Sequence, residues 1–436
     1  MQFRSTKTTD TLVSFKDAVL HCLPPDGGLY VPDKVMDIRQ FFLCMDEKTS
    51  FKELVTAVTP ALLEGELNPL SAARVAESTF NFEPELIPLD ERLSLLNLYQ
   101  GPTGSYKDFG IAFLAAVMEE FITSNGQAVI LSAVRGDSGV SVANAFMGCK
   151  KIYSVLAYPS GRACGLDPSQ FACNGGNIIP IQVKGTFDDC QRLVIQTIND
   201  RSFAGRYGVT SANTINVGRL LPQVFFYLYA FIKVKKYLSG DLAFSVPSGN
   251  FGNLIAGLYA WKFGLPISGF IAAMNVNNAF GDYFNGKPFV PRQLVNTCAP
   301  ALDVCIPSNY ERLASFYQEA PAVMRNLVYP ASIGDELALK TIENAWKKYR
   351  IYIDPHTAVA IAAAEQVAAT QEWSGHVHTI ALATGHPAKE ASAVRRATGQ
   401  EVPIPENILA LQKVSKAIAV IPPDLEAFEG VIASCF

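Results

Sequence analysis

Leu242-Ala243-Phe244-Ser245-Val246-Pro247-Ser248-Gly249-Asn250-Phe251-Gly252-Asn253 is the stretch on which the fold turns. Its first five residues make an apolar run suited to a strand buried on both faces. Leu254, Leu258 and Trp261 then recur at helical spacing up to Gly264, and Phe270–Met274 reads as a second strand. Strand, glycine loop, helix and strand in that order form a βαβ unit, and so a parallel sheet. Closely approaching backbone N–H groups at the helix start can cradle a phosphate. A turn with two glycines is equally a plain structural device. The spacing is neither Gly-x-Gly-x-x-Gly nor the Gly-x-x-x-x-Gly-Lys of a P-loop, so dinucleotide and nucleoside-triphosphate readings lack their usual fingerprint.

The same alternation extends upstream. Ala128–Ala133 is an apolar run, Val134-Arg135-Gly136-Asp137-Ser138-Gly139 a polar loop, and a helix runs to about Phe146 before a strand at Ile152–Ala157. Ile178–Val183 and a helix opened by Thr186-Phe187-Asp188-Asp189 follow. The polar piece Thr210–Asn216 then precedes Arg219 and a long apolar helix to about Leu238. Its side chains suit a polar pocket or a helix cap equally well. Residues 279–335 carry several prolines and weak helix or strand signals, which predicts a loop-rich region. Helices at Leu337–Tyr349 and Ala358–Ala368 lead to a last strand, Thr379–Ala383, and to Thr384-Gly385-His386-Pro387-Ala388-Lys389. Residues 1 to about 80 read as a helical preface, with capping boxes at Ser14/Asp17 and Ser50/Glu53 and a short extended piece, Leu29–Pro32.

A second loop-to-helix junction is Gly101-Pro102-Thr103-Gly104-Ser105-Tyr106-Lys107-Asp108-Phe109-Gly110, running into Phe113, Val117 and Phe121. Ser105 and Asp108 read as a capping box, which puts Lys107 in the first turn. The helix dipole disfavours an ammonium ion there, so a more available neutral amine is expected, suited to Schiff-base chemistry. An ordinary surface lysine at a helix start has the same local sequence.

The chain of 436 residues is 49% hydrophobic and 17% charged with a net charge of −4, a globular balance with no basic block for nucleic acid. Its most apolar stretches, such as Phe225–Val234, contain a lysine or stop short of a membrane span, and no signal-peptide core follows Met1. Nine scattered cysteines without a Cys-x-x-Cys pair fit free thiols in a reducing cytoplasm. His376 and His378 alternate on a predicted strand but lack further ligands nearby, so no metal site is expected.

Taken together, Asp26–Pro32, the lysine stretch, Ser211-Ala212-Asn213, Pro247–Asn253, Asn275-Val276-Asn277 and Thr384–Lys389 resemble, in order and over nearly the whole chain, the threonine synthase family. The resemblance implies the pyridoxal 5′-phosphate (PLP) fold of the tryptophan synthase β type: two open, mostly parallel sheets flanked by helices, with an N-terminal mainly helical segment. Its domain layout would be residues 1–84, then 85–436 with a smaller α/β domain (about 120–215) inserted in a larger one (about 85–119 and 216–436). It further implies that Lys107 carries PLP as a Schiff base. Asp137, Ser248, Gly249, Asn250, Phe251, Gly252, Asn253 and Thr384 would bind the cofactor, with Thr384 at the pyridine nitrogen. Ser211, Asn213 and Arg219 would take the substrate phosphate. In the neighbouring loop Ser138 keeps a hydroxyl, and Arg135, which departs from the family pattern, is a substrate-binding candidate that either replaces lost hydroxyls or selects a different substrate. The implied reaction is a lyase reaction of amino-acid biosynthesis, O-phospho-L-homoserine and water to L-threonine and phosphate, with Lys107 as general base in a monomer or homodimer.

Two departures stand out. The family usually reads Thr-Ser-Gly-Asp-Thr-Gly where this chain has Val134–Gly139, and commonly Leu-Ala-Phe where it has Gly104-Ser105-Tyr106. Losing two hydroxyls and gaining Arg135 supports a second reading, a related phospho-lyase or dehydratase releasing a 2-oxo acid. A third, from another class, is a non-catalytic α/β protein that binds a phosphate ligand.

Overall fold

The computed structural model describes residues 1–436 apart from 64, 123–125, 135, 161–175, 371–375 and 412–416. The N-terminal segment opens with a strand pair. β1 (Phe3–Ser5) and β2 (Tyr30–Pro32) run antiparallel on either side of α1 (Phe15–His21). α2 (Arg39–Cys44), α3 (Phe51–Leu62) and α4 (Pro69–Thr79) complete the segment. Ser50 and Glu53 form the expected reciprocal capping box on α3. At α1 the box is only half made: Ser14 accepts from the Asp17 N–H but donates its hydroxyl to the Asp17 carboxylate (2.7 Å).

Beyond residue 84 strands and helices alternate. β3 (Glu85–Pro88) and β4 (Leu93–Asn97) pair antiparallel, and α5 (Lys107–Phe121) follows. A second sheet then takes the chain: β5 (Ala128–Ala133), α6 (Asp137–Phe146), β6 (Ile152–Pro159), β7 (Ile178–Val183), α7 (Phe187–Asn199), α8 (Arg201–Tyr207) and β8 (Val209–Ser211). α9 (Val217–Leu220) and α10 (Val224–Val234) return it to the first sheet. There follow β9 (Asp241–Pro247), α11 (Gly252–Lys262), β10 (Gly269–Met274), α12 (Ala279–Phe284), α13 (Tyr310–Glu319), α14 (Pro321–Leu327), β11 (Val328–Ser332), α15 (Asp335–Tyr349), α16 (Pro355–Ala368) and β12 (Val377–Ala383). The chain closes with α17 (Ala391–Thr398), α18 (Glu406–Leu411), β13 (Ala419–Ile421) and α19 (Leu425–Cys435).

The larger sheet has six strands in the order β11-β10-β9-β12-β4-β3, all parallel except the edge pair β3–β4. The smaller has five, β13-β7-β6-β5-β8, all parallel. Two mostly parallel sheets flanked by helices are the architecture the resemblance implied. One face of the larger sheet packs with α5, α10, α11 and the N-terminal segment in a single core that includes Phe15, Phe51, Phe109, Phe226 and Phe244. α15 and α16 cover the other face. The smaller sheet is covered by α7 and α19. Val217–Val234 is long and apolar enough to cross a membrane, but 94% of it is buried against the rest of the chain, which marks a core helix.

Three expectations need correction. The region 279–335 is not mostly loop, since α12, α13, α14 and β11 lie within it. Pro321 stands in the first turn of α14, where its missing N–H costs nothing, so it opens a helix there. The apolar helix before β9 ends at Val234 rather than near Leu238. The C-terminal tail, expected with the larger unit, crosses over instead. β13 extends the smaller sheet through β7, and Ile421, Phe428 and Ile432 bury themselves in that sheet's core.

Candidate active site

Parallel strands end on one edge, so the loops after β4, β9 and β12 meet along one rim of the larger sheet. The loops after β5 and β8 of the smaller sheet face them. Between the two rims lies a cavity whose wall includes Lys107, Ser138, Asn213, Arg219, Asn250 and Thr384.

The lysine loop is stitched to the loop after β12. The Tyr106 N–H donates to Thr384 O (3.0 Å) and the His386 N–H to Gly104 O (2.9 Å), with Ser105 and Gly385 bridged antiparallel. These bonds set Lys107 and Thr384 on one wall. The predicted Ser105–Asp108 capping box does not form: Tyr106 is the N-cap of α5 and makes no side-chain cap. Asp108 turns back instead and accepts from the Thr103 N–H (2.8 Å) and Oγ1–H (2.6 Å). Thr103 Oγ1 also meets Ser141 Oγ on α6 (2.8 Å), joining the lysine loop to the smaller sheet's layer. Burial pushes the Asp108 carboxyl up, partly offset by the Thr103 bonds. A side chain at Gly101 would collide with the Asp108 carboxylate at 2.5 Å, so only glycine fits beneath this turn.

In the loop after β9, Phe251 takes the left-handed conformation (φ 58°) and begins α11 without a side-chain cap. Gly249, Asn250, Phe251, Gly252 and Asn253 all line the cavity. A Cβ at Gly249 would sit 2.8 Å from Ala301 O, and one at Gly252 would sit 3.0 Å from Thr214 Cγ2. The backbone is thus closely walled, and Phe251 at the N-cap supplies no side chain to compete for the first amides. Such a loop can cradle a phosphate, and with a lysine and a hydroxyl lining the same cavity the residues present fit PLP. Ser248 stands behind the wall. Its hydroxyl donates to Val246 O (2.7 Å), its N–H to Ala273 O (2.8 Å), and it does not line the cavity. Asn253 lines it but gives its amide to Pro247 O (2.8 Å).

Across the cavity, Asn213 clamps the end of β5 by accepting from the Ala133 N–H (3.0 Å) and donating to Ala133 O (2.8 Å). Asn216 caps α9 by accepting from the Gly218 N–H (2.9 Å). Arg219 is 5% exposed, donates to Ala212 O through Nη1, and has no partner for Nε among the described residues. Burial pulls its guanidinium down to about 10, so it still carries its charge at neutral pH. A buried, partly unsatisfied guanidinium beside a cavity suits a phosphate dianion. Ser138 also lines the cavity, whereas Ser211 is buried away from it and its hydroxyl meets Asn213 Oδ1 (3.3 Å). The polar piece 210–216 therefore both caps a helix and lines a pocket. Asp137 opens α6, but its side chain lies outside the described residues, as does the whole of Arg135. Val134 is fully buried in the main core, donates its N–H to Ala157 O (2.9 Å) and does not face the cavity.

Several lining residues had no individual signal. His386 accepts the Ala388 N–H at Nδ1 (3.1 Å), and burial and the nearby Lys389 charge pull it down to about 4, so it is neutral at physiological pH. Lys389 itself lines the cavity and is 8% exposed. His356 accepts the Ala301 N–H at Nε2 (3.1 Å) and meets Asp354 through Nδ1, which braces the turn that walls Gly249. His378 meets Ser94 Oγ (3.0 Å) in a structural contact, and the described residues include no group of three His, Cys, Asp or Glu placed to hold a metal.

Residues 2–79 match the family model described as threonine synthase N terminus, and 357–432 that described as threonine synthase, C-terminal. The chain is 32% identical over 408 residues to threonine synthase from Haemophilus influenzae, with 94% of each chain covered. Its fold is similar to the crystal structure of threonine synthase from Escherichia coli, with a TM-score of 0.90, 29% identity and all of both chains covered. It is also similar to PLP-bound threonine synthase from Brucella melitensis, with a TM-score of 0.89 and 28% identity, covering 100% of this chain and 99% of the other.

Proposed function

The chain belongs to the threonine synthase family, and we propose on that basis a role for each group around the cavity. It is a PLP-dependent lyase that converts O-phospho-L-homoserine and water to L-threonine and phosphate. The observation that carries the assignment is the cavity itself. Lys107, residues 249–253, Thr384 and the buried Arg219 all line one space.

Lys107 is the amine that would hold the cofactor's aldehyde carbon. The backbone N–H groups of Gly249–Gly252 would take its phosphate, and the Thr384 hydroxyl would stand at its pyridine nitrogen. When bound, PLP supplies an electron sink for negative charge developing on the substrate. Lys107, once its amine is released, takes the Cα proton and then a Cβ proton as general base. Arg219 and Asn213 hold the substrate phosphate and stabilise the dianion as its bond to Cγ breaks. Water then adds at Cβ. Ser138 contributes a hydroxyl to the same pocket, while Ser211 acts through Asn213 and Ser248 through the loop it braces. Arg135 and Asp137 belong to the loop beside them, which we assign to substrate and cofactor respectively. Val134 points into the core, so its difference from the family pattern removes no group from the cavity wall and supports threonine over a 2-oxo acid as product. Seven described cysteines are free thiols, which supports a cytoplasmic setting, and we place the protein there as a monomer or homodimer.

Incubating the PLP-loaded protein with O-phosphohomoserine and identifying the products tests this reading. Threonine and phosphate in equal amounts are expected. Phosphate with 2-oxobutyrate would favour the phospho-lyase reading, and absence of phosphate release would overturn both.

A further inference from the structure

Arg312 in α13 is fully buried. Its guanidinium donates to four neutral oxygens: Tyr30 O from Nε (3.0 Å), Thr214 O (2.6 Å) and Asn309 Oδ1 (2.7 Å) from Nη1, and Ile215 O (2.7 Å) from Nη2. No carboxylate shares in these bonds. A charge taken out of water and hydrogen-bonded to neutral oxygens is costly, and removing it would strand several buried acceptors.

The acceptors come from three separate places. Tyr30 is in β2, Thr214 and Ile215 are in the loop that carries Asn213 and leads into α9 with Arg219, and Asn309 immediately precedes α13. Asn309 passes the connection on, donating through Nδ2 to Thr214 Oγ1 (2.8 Å) and to Asn250 O (3.1 Å). Asn250 Oδ1 in turn accepts from the Ser308 N–H (3.1 Å). The Tyr30 carbonyl is held by the stretch before it. Asp26 accepts from Ser5 Oγ (2.8 Å) and from the Gly28 N–H (2.9 Å), and Thr6 Oγ1 accepts from the Leu29 N–H (2.9 Å). The Asp26–Pro32 stretch, which displays no chemistry of its own, thus contains Tyr30, whose carbonyl is linked through Arg312 to the loop carrying Asn213.

We propose that Arg312 is a positioning residue that locks the loop 212–216, at the start of α9, to the 249–252 loop, and both to the N-terminal segment through Tyr30. The inference rests on the assignment of those loops to the substrate and cofactor phosphates. Two phosphate cups must keep a fixed separation for the substrate's reacting carbons to meet the cofactor, and a small misplacement there is expensive in rate. A lysine at 312 keeps the charge, but one ammonium nitrogen cannot serve four acceptors spread around a planar fork.

The test uses two full-length variants, Arg312→Lys and Asn309→Ala. Each is checked for folding by circular dichroism and melting temperature. PLP affinity is then measured by titrating PLP-free protein, and KM and kcat by turnover of O-phosphohomoserine. Arg312→Lys is expected to raise both the PLP Kd and KM on the order of tenfold. Asn309→Ala leaves the Arg312 bonds to Thr214 O and Ile215 O in place but cuts the arm to Asn250, so it is expected to raise the PLP Kd more than KM. Folded variants with Kd and KM both within about twofold of the unsubstituted protein would overturn the proposal. If Arg312→Lys does not fold, Asn309→Ala decides alone. If the unsubstituted protein releases no phosphate, the reaction assignment fails, and the PLP titrations still decide whether the clamp exists.

Discussion

His386 is held neutral by burial and by the Lys389 charge, with its proton affinity pulled down to about 4 and Nδ1 occupied by the Ala388 N–H. An unfolded histidine titrates near ~6.5, so between that pH and about 4 the unfolded chain binds a proton that the folded one refuses. Stability must therefore fall as pH falls through this window. Asn at 386 can still accept the Ala388 N–H but cannot titrate. His386→Asn is expected to lose less melting temperature than the unsubstituted protein between pH 7 and about 4.5. Equal losses would show that this imidazole is not the group described. The same residue marks a limit of sequence reading. Thr384–Lys389 was legible as a motif, but that its histidine and lysine face the cavity depends on Gly104 and Tyr106 pairing with this loop.

At the level of elements, the walled glycine loop makes the sharpest claim. A methyl group at 249 would approach Ala301 O at 2.8 Å and Leu302 Cα at 3.2 Å, both backbone atoms with little freedom to yield. Gly249→Ala is expected to cost about 1–3 kcal/mol in stability and to weaken PLP binding, read by thermal melting and by cofactor titration. An unchanged Kd and melting temperature would mean the loop is slacker than described. Strands such as β5, β7, β9 and β10 were readable because predominantly apolar runs end at polar or glycine-bearing turns. α12 to α14 were not, because each is short and prolines punctuate the region, a pattern that also describes loops. The lysine loop misled in a different way. Ser105 and Asp108 have the spacing of a capping box, but the Asp108 carboxylate is taken by Thr103. Lys107 falls in the first turn all the same, so its position was legible although the reason given for it was not.

Across the whole molecule, the two sheets share one cavity, and chain segments distant in sequence secure each side of it. Arg312 connects the N-terminal segment to the loops, and the tail from β13 onward covers the smaller sheet. Neither link is visible in local sequence, since both depend on which surface a segment meets after folding. Ending the chain at residue 418 would remove Ile421, Phe428 and Ile432, all buried against that sheet. At about 1.5–3 kcal/mol for each apolar side chain, the loss is of the order of 5 kcal/mol. Such a truncation is expected to melt far lower or to precipitate. A truncated protein with the full-length melting temperature would contradict the tail's assigned place.

The central claim is that Lys107 carries the cofactor in this cavity, and a second lysine on the same wall, Lys389, makes the claim decidable. Borohydride treatment of the PLP-loaded protein, followed by digestion and mass mapping, identifies the modified lysine. The account predicts the cofactor mass on the peptide containing Lys107, and in Lys107→Ala a folded protein with neither label nor turnover. A label on Lys389, or on neither lysine, would contradict it.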